Sequence, residues 1–295
     1  MTRRGLVLGC GGTLGLTWSV AALHSLRREL GWDPVSAEVV VGTSGGAELA
    51  AILAAGFDLD EVLAARLGSA GAPELLLEHF AAGPGGVPPL PRPGFAAPGL
   101  LRARLRGRVD GTAAAAGLLP LGSGDNSWLL RLGAALAPSV QHPNLMLIAA
   151  DRRTGKRVPL REPLGPALAA SWAIPGWFPP VVVGGREYVD GGTVSPTSAD
   201  LLAPFGLDEV VVVAPMTSSG PVPARGLDRV ERLLRGPMTR RLDAEERVLR
   251  RTGARVLRVE PTAEALAVMG PNFMDRRRVP AVAEVALRTT AREDA

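Results

Sequence analysis

The sequence predicts an α/β protein in which helices cover both faces of a mainly parallel sheet. Short runs of β-branched residues alternate with alanine-rich helical segments, which is the pattern of strands buried between two helical layers. Glycines stand where strands give way to helices, as they do in tight βα turns. Hydrophobic residues make up 46% of the 295 residues, so the chain can bury one full core.

Two strand-turn-helix units open the chain. The apolar run from Gly5 to Gly9 predicts a buried strand, and the segment from Thr13 to Leu30 predicts the helix that follows it. The run from Glu38 to Val41 predicts a second strand, and Ala47 to Ala55 is a strong helix former that stops at Gly56. Two such units in succession favour neighbouring parallel strands.

The middle of the chain differs in composition from both ends. Residues 57–80 are predicted to continue as helix, whereas the prolines and glycines of residues 81–99 forbid regular structure. The helical segments that follow, Leu101 to Arg108 and Ser127 to Ala137, are too few to build a core of their own. We therefore expect residues 61–143 to be a lid or insertion rather than a separate domain.

The second half of the chain returns to strand character and ends in helices. The predicted strands are Asn144 to Ala150, a short strand after the turn at 154–157, a hairpin of Val181 to Val183 and Glu187 to Val189 around Gly184 and Gly185, Asp208 to Pro215, and Ala254 to Val259. Residues 222–295 are mostly helical and arginine-rich, which predicts a C-terminal extension. We expect one domain over residues 1–295.

Composition excludes several classes of function. The 33 basic residues exceed the 29 acidic ones by only four, and Tyr188 is the single tyrosine, so the chain lacks aromatic platforms on which nucleic-acid bases stack. We expect no nucleic-acid partner. Cys10 is the single cysteine, which excludes an intrachain disulfide and a cysteine-rich metal site. A cytoplasmic location fits this composition.

A membrane address is the first alternative for the N-terminus, because Arg3 and Arg4 precede an apolar stretch that ends at Cys10. The apolar part from Leu6 to Gly9 is far shorter than the core of a signal peptide. An extension to Leu23 has the length of a bilayer span, but it contains four glycines. Each of them disfavours a helix by about 1 kcal/mol relative to alanine. A buried strand, a turn and a helix is the better interpretation.

Gly9, Gly11 and Gly15 follow the first strand and open a helix. In this geometry, backbone N–H groups and the positive end of the helix bind an anion. A dinucleotide is one such anion, but the spacing departs from G-x-G-x-x-G, and Asp33, the acid at the required distance, lies in a predicted loop. A turn that serves packing alone is the other interpretation.

A second glycine cluster surrounds Ser44. The residues GTSGG, Gly42 to Gly46, form a G-x-S-x-G pattern between a buried strand and an alanine-rich helix, which is the setting of a nucleophile elbow. The Ser44 hydroxyl would lie at the carboxyl end of the strand and at the positive end of the helix dipole, where a developing oxyanion is favoured. The alternative is a serine that only caps the helix.

A serine hydroxyl needs a base to act as a nucleophile at neutral pH. The three histidines, His24, His79 and His142, are expected in surface or half-buried structural roles. All three lie too early in the chain for the Ser, acid, His order of α/β-hydrolases, which disfavours a Ser-His-Asp triad. Asp190 is the remaining candidate, because it ends a strand and precedes two glycines, although this pattern is also an ordinary turn.

An aspartate with an ordinary pKa near 3.9 is a weak base. Apolar surroundings raise that pKa, and we expect Trp172, Trp177, Phe178 and Val189 to supply them for Asp190. Ser44 and Asp190 are therefore candidates for a reactive pair, while a helix cap and an ordinary turn stay open as the alternatives.

Three motifs together resemble the patatin-like phospholipase family. They are the glycine-rich loop GCGGTLG at 9–15, GTSGG at 42–46 and DGG at 190–192, in the family's order. The lead-in ASWAIPGWFPPVVVGGREYVDGG also resembles the family's Ala-Ser-x-Ala-x-Pro-x-x-Phe-Pro-Pro stretch. The similarity spans about residues 5–60 and 144–215, and residues 61–143 carry no such motif.

The resemblance implies a three-layer α/β/α patatin-like fold and a serine acyl hydrolase of the phospholipase A or lysophospholipase type. Ser44 would attack the ester carbonyl and form an acyl-enzyme, and Asp190 would accept the proton and later activate water. Backbone N–H groups of Gly11, Gly12 and Gly45 would hold the oxyanion. The other residues of the three motifs are Gly9, Cys10, Gly15, Gly42, Gly46, Gly191 and Gly192. The implied partner is a lipid or acyl-ester substrate, with transient contact to a membrane surface and with no metal or cofactor.

Two positions depart from the family's loop, which usually reads Gly-Gly-Gly-x-Arg/Lys-Gly. Cys10 replaces the first glycine, and Leu14 occupies the basic position. A catalytically weak or inactive lipid-binding relative is therefore one alternative function, and a dinucleotide-binding oxidoreductase is another. A cation for an anionic head group would have to come from elsewhere, such as Arg102, Arg104 or Arg106. The sequence carries no signal for an oligomeric state.

Overall fold

Strands and helices alternate along residues 2–220 and 228–290, which the computed structural model describes. The strands are β1 (Arg4–Leu8), β2 (Val39–Thr43), β3 (Arg92–Phe95), β4 (Pro120–Leu121), β5 (Leu145–Asp151), β6 (Arg157–Leu160), β7 (Val181–Val183), β8 (Arg186–Asp190), β9 (Glu209–Val213) and β10 (Arg255–Val259). The helices are α1 (Gly12–Leu30), α2 (Gly45–Ala54), α3 (Leu59–Arg66), α4 (Glu74–Ala82), α5 (Gly99–Leu105), α6 (Gly111–Gly117), α7 (Ser127–Leu136), α8 (Leu164–Ser171), α9 (Asp228–Arg251), α10 (Ala263–Met269) and α11 (Val279–Thr289).

A single large sheet organises the chain, in the order β10, β9, β1, β2, β5, β8, β7, with β6 also paired to β5. The first five strands of that order run parallel to their neighbours, and β6, β7 and β8 pair antiparallel. The expected mainly parallel central sheet is therefore confirmed. The parallel strands all end at one edge, so the loops that follow β1 and β2 lie side by side there.

Alternate side chains of the strands point into two separate cores, as a sheet covered on both faces requires. Leu6 and Leu8 of β1 pack into the core that contains α1, α2 and α8, whereas Val7 packs into the core that contains side chains of α9. α1 is buried from Gly12 to Leu23 and becomes exposed only near its charged C-terminal end, at Arg28 and Glu29. The three-layer α/β/α architecture is confirmed.

The middle of the chain corrects two expectations. The predicted helix over residues 57–80 is two helices, α3 and α4, because Gly68, Gly71 and Pro73 interrupt it. Residues 81–99 were expected to lack regular structure, but β3 lies within them and pairs with β4. Its proline is tolerated because the two-stranded ribbon is exposed and leaves one side of each strand unpaired.

Within residues 61–143, α4 and α7 contribute to the core that contains α1, whereas α5 and α6 pack onto the sheet through a separate small apolar cluster. Leu100 and Ala103 of α5 and Ala113 of α6 meet Ala150 of β5 and Val189 of β8. A short helix such as α6, which the sequence did not predict, is stable only through this contact. The proposal that this segment acts as a lid, and the single-domain assignment, remain predictions. Of the predicted C-terminal extension, residues 222–227 and 291–295 lie outside the described residues.

A buried carboxylate fixes the loop that follows β8. Glu245 of α9 is 2% exposed and accepts hydrogen bonds from Ser195 Oγ (2.6 Å), Thr197 Oγ1 (2.7 Å) and the backbone N–H of Ala199 (2.9 Å). Arg157 of β6 lies 3.1 Å from the same carboxylate. Its charge is thus compensated inside the protein, and α9 is tied to the loop between β8 and β9.

We expect Glu245→Ala to lower the free energy of unfolding by about 3 kcal/mol, because two hydroxyls, one N–H group and the Arg157 guanidinium lose a buried partner. Urea unfolding followed by circular dichroism measures this. Arg288→Ala is the control, since the Arg288–Glu264 pair is about half exposed and is expected to leave stability unchanged. Equal stability of Glu245→Ala and wild type would contradict this interpretation.

Candidate active site

Ser44 lies at the corner between β2 and α2, in a backbone conformation that is rare for a residue with a side chain. Its φ is 56° and its ψ is −124°. The backbone N–H of Ser44 donates to Ser171 Oγ at 2.9 Å, and Ser171 Oγ donates to the carbonyl oxygen of Ile148 at 2.7 Å. This relay anchors the corner to β5 and holds the Ser44 backbone in place. The side chain is then presented at the carboxyl edge of the sheet, as predicted.

The glycines around Ser44 allow strand and helix to approach closely. A Cβ on Gly46 would overlap the carbonyl oxygen of Leu8 at the end of β1, and one on Gly42 would lie 2.5 Å from the carbonyl oxygen of Gly46. A side chain at either position would push α2 away from the sheet, so G-x-S-x-G is a packing requirement here.

Asp190 is brought to Ser44 by the register of β5. Thr43, the last residue of β2, pairs with Ile148, and Asp190, the last residue of β8, pairs with the next residue, Ala149. Since β6 occupies the other side of β5 at both positions, β2 and β8 follow one another along the same side. The two strand ends therefore meet, and the Ser44 hydroxyl lies close enough to the Asp190 carboxylate to lower the pKa of that group.

Burial changes the acid-base character of Asp190. The residue is 4% exposed, and loss of hydration raises the pKa of its carboxyl group to about 7. The neighbouring Ser44 hydroxyl and the backbone N–H of Gly192, which donates to Oδ1 at 2.7 Å, oppose this shift without cancelling it. Asp190 is therefore a much stronger base than an exposed aspartate.

The glycine-rich loop crosses the same edge beside Ser44. The N–H groups of Gly11, Gly12 and Gly45 have no acceptor within the described part of the chain. Gly12 has a φ of 55°, and a Cβ there would lie 2.6 Å from Met274 Sδ. The N-termini of α1 and α2 both converge here, so the local field favours an anion.

The other motif residues support this arrangement. Gly9 donates its N–H to Val213 and Gly15 donates to Gly11, while Gly191 lies in the turn after β8. Cys10 lies behind Gly192, where a Cβ on the glycine would be 2.9 Å from Sγ. Burial raises the pKa of the Cys10 thiol, so the thiol stays protonated at neutral pH and is a poor nucleophile.

A cavity of about 430 Å³ opens over Ser44 and Asp190. Its walls are mainly apolar and come from widely separated parts of the chain, with Leu119, Ile174, Met216, Met238 and Phe273 as the largest apolar side chains. Thr112, Ala115 and Ala116 of α6 close one side. The cavity has the character of a site for an acyl chain.

The apolar residues expected around Asp190 do not line the cavity above it. Trp172, Trp177, Phe178 and Val189 are not among the described residues that line the cavity, and Trp172 packs edge-on against Trp128 instead. Ile174 and Pro175, from the same stretch of sequence, take their place.

The histidines lie away from the reactive pair, but one expectation about them is wrong. His79 was expected at the surface or half-buried, whereas it is 6% exposed and its Nε2 lies 2.8 Å from Glu48 Oε1 in the core. His24 pairs with Asp60 and His142 with the carbonyl oxygen of Ala37. None of the three lines the cavity over Ser44 as far as the structure describes it.

A mainly parallel sheet with a serine at a strand-to-helix corner is the architecture of α/β hydrolytic enzymes. A family model described as patatin-like phospholipase matches residues 6–203, well over half of the chain, so the chain belongs to the patatin-like phospholipase family. This is a family of lipid acyl hydrolases. The crystal structure of VipD from Legionella pneumophila is similar to this one. The match covers 96% of this chain and 67% of the VipD chain, with a TM-score of 0.39 and 15% sequence identity. A search of curated proteins found no match.

The part of the chain described by the structure contains no helix with both the length and the hydropathy needed to cross a bilayer. The N-terminal apolar stretch, considered above as a membrane address, instead forms β1 and the buried start of α1.

We expect Asp190→Asn to stabilise the protein at high pH. The folded pKa of about 7 lies above the unfolded value near 3.9, so wild-type stability falls as pH rises from about 4 to 7 and stays low above that. The variant does not lose stability in this way. The difference in unfolding free energy, variant minus wild type, should therefore be greater at pH 8.5 than at pH 4, by up to about 4 kcal/mol. Urea titrations at the two pH values measure the difference.

Asp275→Asn is the matched control. Arg277 lowers the pKa of the Asp275 carboxyl group to about 2, so this variant should lose rather than gain relative stability as pH rises. A pH-independent difference between Asp190→Asn and wild type would show that Asp190 is not destabilised by its burial.

Proposed function

We propose that the protein is a serine acyl hydrolase that cleaves lipid esters, of the phospholipase A or lysophospholipase type, through a dyad of Ser44 and Asp190. The observation that supports this most directly is the placement of the Ser44 hydroxyl beside a buried carboxylate, with both residues lining one apolar cavity. Serine at a βα corner with an adjacent base is the arrangement of an activated nucleophile.

The proposed reaction has two half-reactions. Ser44 Oγ attacks the ester carbonyl carbon while its proton passes to Asp190, and the carbonyl oxygen becomes an oxyanion. Collapse of this intermediate breaks the ester bond, the leaving alcohol takes the proton from Asp190, and an acyl-enzyme remains. Water then attacks the acyl carbonyl and gives its proton to Asp190, and Ser44 recovers a proton as the fatty acid leaves.

Two features of the site favour this chemistry. A carboxyl group with a pKa of about 7 can accept and return a proton near neutral pH. The free N–H groups of Gly11, Gly12 and Gly45 are proposed to bind the oxyanion, and the loss of one such donor typically costs about 3 kcal/mol in transition-state stabilisation.

The alternatives are less well supported. Asp33, the acid considered for dinucleotide binding, caps a short turn by accepting from the N–H of Val35. Leu14 is fully buried, so the missing basic residue leaves no exposed gap in the loop. A non-catalytic lipid-binding relative would retain its fold and resist labelling of Ser44 by a fluorophosphonate, which separates that alternative from the proposed function.

We expect Ser44→Ala and Asp190→Asn each to reduce kcat for p-nitrophenyl acyl esters at least a thousandfold, because each removes one half of the dyad. Ser36→Ala is the matched control, since Ser36 precedes β2 at the opposite edge of the sheet and should leave kcat unchanged. Circular dichroism verifies that each variant is folded. Turnover close to wild type in either dyad variant would exclude the proposed mechanism.

We expect kcat/KM of the wild type to rise with pH, with unit slope and a midpoint near 7. The general base must be ionised, and burial raises the pKa of Asp190 to that value. A soluble short-chain ester isolates this dependence from effects of pH on lipid aggregates. A flat profile between pH 5 and 8 would contradict the assignment of Asp190 as the base.

A further inference from the structure

Exposed apolar side chains are concentrated in one segment. Of the eleven exposed large hydrophobic residues in the described part of the chain, seven lie between residues 87 and 119. The most exposed are Leu90 at 90%, Leu105 at 83% and Val87 at 80%. Isolated exposed leucines are common, but seven in one short segment indicate a surface that contacts something other than water.

The same segment carries five arginines and only one acidic residue. Asp110 uses its carboxylate to accept from Thr112 Oγ1 and the N–H of Ala113 at the start of α6. Within the described residues, none of the five arginines has an ion pair or a hydrogen bond through its side chain. They are Arg92, Arg102, Arg104, Arg106 and Arg108.

Arginines elsewhere in the chain are mostly paired, so this segment is unusual. Arg258 contacts Asp243 and Glu260 at 2.6 Å, Arg157 contacts Asp200 at 2.6 Å, and Arg27 contacts Asp58 at 2.8 Å. The unpaired charges therefore reflect the local sequence rather than a general excess of arginine, and they leave a net positive surface.

This apolar and basic surface adjoins the mouth of the cavity over Ser44. β3 pairs with β4, and the N–H of Ala96 donates to the carbonyl oxygen of Leu119 at 2.8 Å, which joins the two ends of the segment. Leu119 is 45% exposed and also lines the cavity. The surface is therefore continuous with the entrance through which a substrate would reach Ser44.

Further cations lie beyond α5. Arg102 shares a second cavity, of about 670 Å³, with Arg153, Lys156 and Arg186. These three side chains likewise have no ion pair recorded among the described residues. The positive surface thus extends from α5 to the turns after β5 and β7.

We propose that residues 87–119 dock the protein on an anionic phospholipid membrane, with the cavity mouth facing the lipid. A membrane surface accepts both components: the apolar side chains enter the acyl boundary, and the arginines meet phosphate groups. Nucleic acid would leave the leucines in water, whereas a lipid surface accommodates the leucines and the arginines together. The proposal rests on the proposed function, since docking matters because the substrate is a lipid ester.

Binding is measured in the Ser44→Ala background, so that the lipid stays intact whether or not the proposed reaction occurs. Vesicles of phosphatidylcholine, with and without phosphatidylglycerol, are sedimented with the protein at low and high salt. Each basic residue near an anionic surface contributes roughly a fivefold gain in affinity. We expect at least tenfold tighter binding to the vesicles with phosphatidylglycerol, and loss of that preference at high salt.

The matched variants each remove two exposed arginines. Arg104→Gln with Arg106→Gln should weaken binding to anionic vesicles roughly tenfold or more, whereas Arg247→Gln with Arg251→Gln, at the end of α9, should leave it unchanged. Neither pair of arginines lines the cavity over Ser44. When the same substitutions are made with Ser44 intact, hydrolysis of a soluble ester should therefore be unaffected.

Three results would overturn the docking proposal: equal binding to both kinds of vesicle, no binding to either, or equal loss in both arginine pairs. Each would leave the proposed hydrolysis standing if the soluble ester is still cleaved. If the protein binds anionic vesicles selectively but does not cleave the soluble ester, the proposed function is wrong and the docking proposal stands. Leu90→Ser with Leu105→Ser provides a second test, because it should weaken vesicle binding and preserve its salt dependence.

Discussion

The pairing of two strand ends on one side of β5 is the constraint on which the candidate site depends. β2 stops at the pair Thr43–Ile148, and β8 stops at the adjacent pair Asp190–Ala149, so two distant parts of the sequence leave the sheet at neighbouring positions. A slip of either strand by one residue would turn its last side chain to the other face of the sheet. The register of the sheet therefore places Ser44 next to Asp190. The surrounding packing contributes because it fixes that register.

The site holds two unfavourable features in place. Ser44 has a positive φ, and Asp190 is a carboxylate removed from water. The contact of Ser171 with the Ser44 backbone and the N–H of Gly192 on Asp190 compensate only in part, since the pKa of Asp190 stays raised. Stability for these features comes from the cores on both faces of the sheet. The site is thus a strained region on a rigid support, the arrangement that preorganised chemistry requires.

Local sequence signals predicted most of the framework but little of the cavity. β-branched runs and glycine turns identified β1, β2 and the hairpin of β7 and β8, because those choices depend on a few neighbouring residues. Met216 and Phe273 lie outside the three motifs in the sequence, and their hydrophobicity predicts burial without indicating which residues they contact. The sequence likewise did not indicate that the Trp172 ring would pack on Trp128. Ser171, which accepts the hydrogen bond from the Ser44 backbone, lies in the Ala-Ser stretch named in the sequence analysis. The motif therefore identified the residue, but it could not predict this hydrogen bond.

The apolar residue at position 14 has a consequence for the charge balance of the site. An unpaired cation close to Asp190 would stabilise the carboxylate and lower its pKa, which would weaken it as a base near neutral pH. In this chain Leu14 is buried in the core, and none of the described residues that line the cavity is a cation. The unpaired arginines of α5 lie outside that lining, so they do not oppose the effect of burial on Asp190. The proposed docking on an anionic membrane would therefore use cations that leave the basicity of this carboxylate intact.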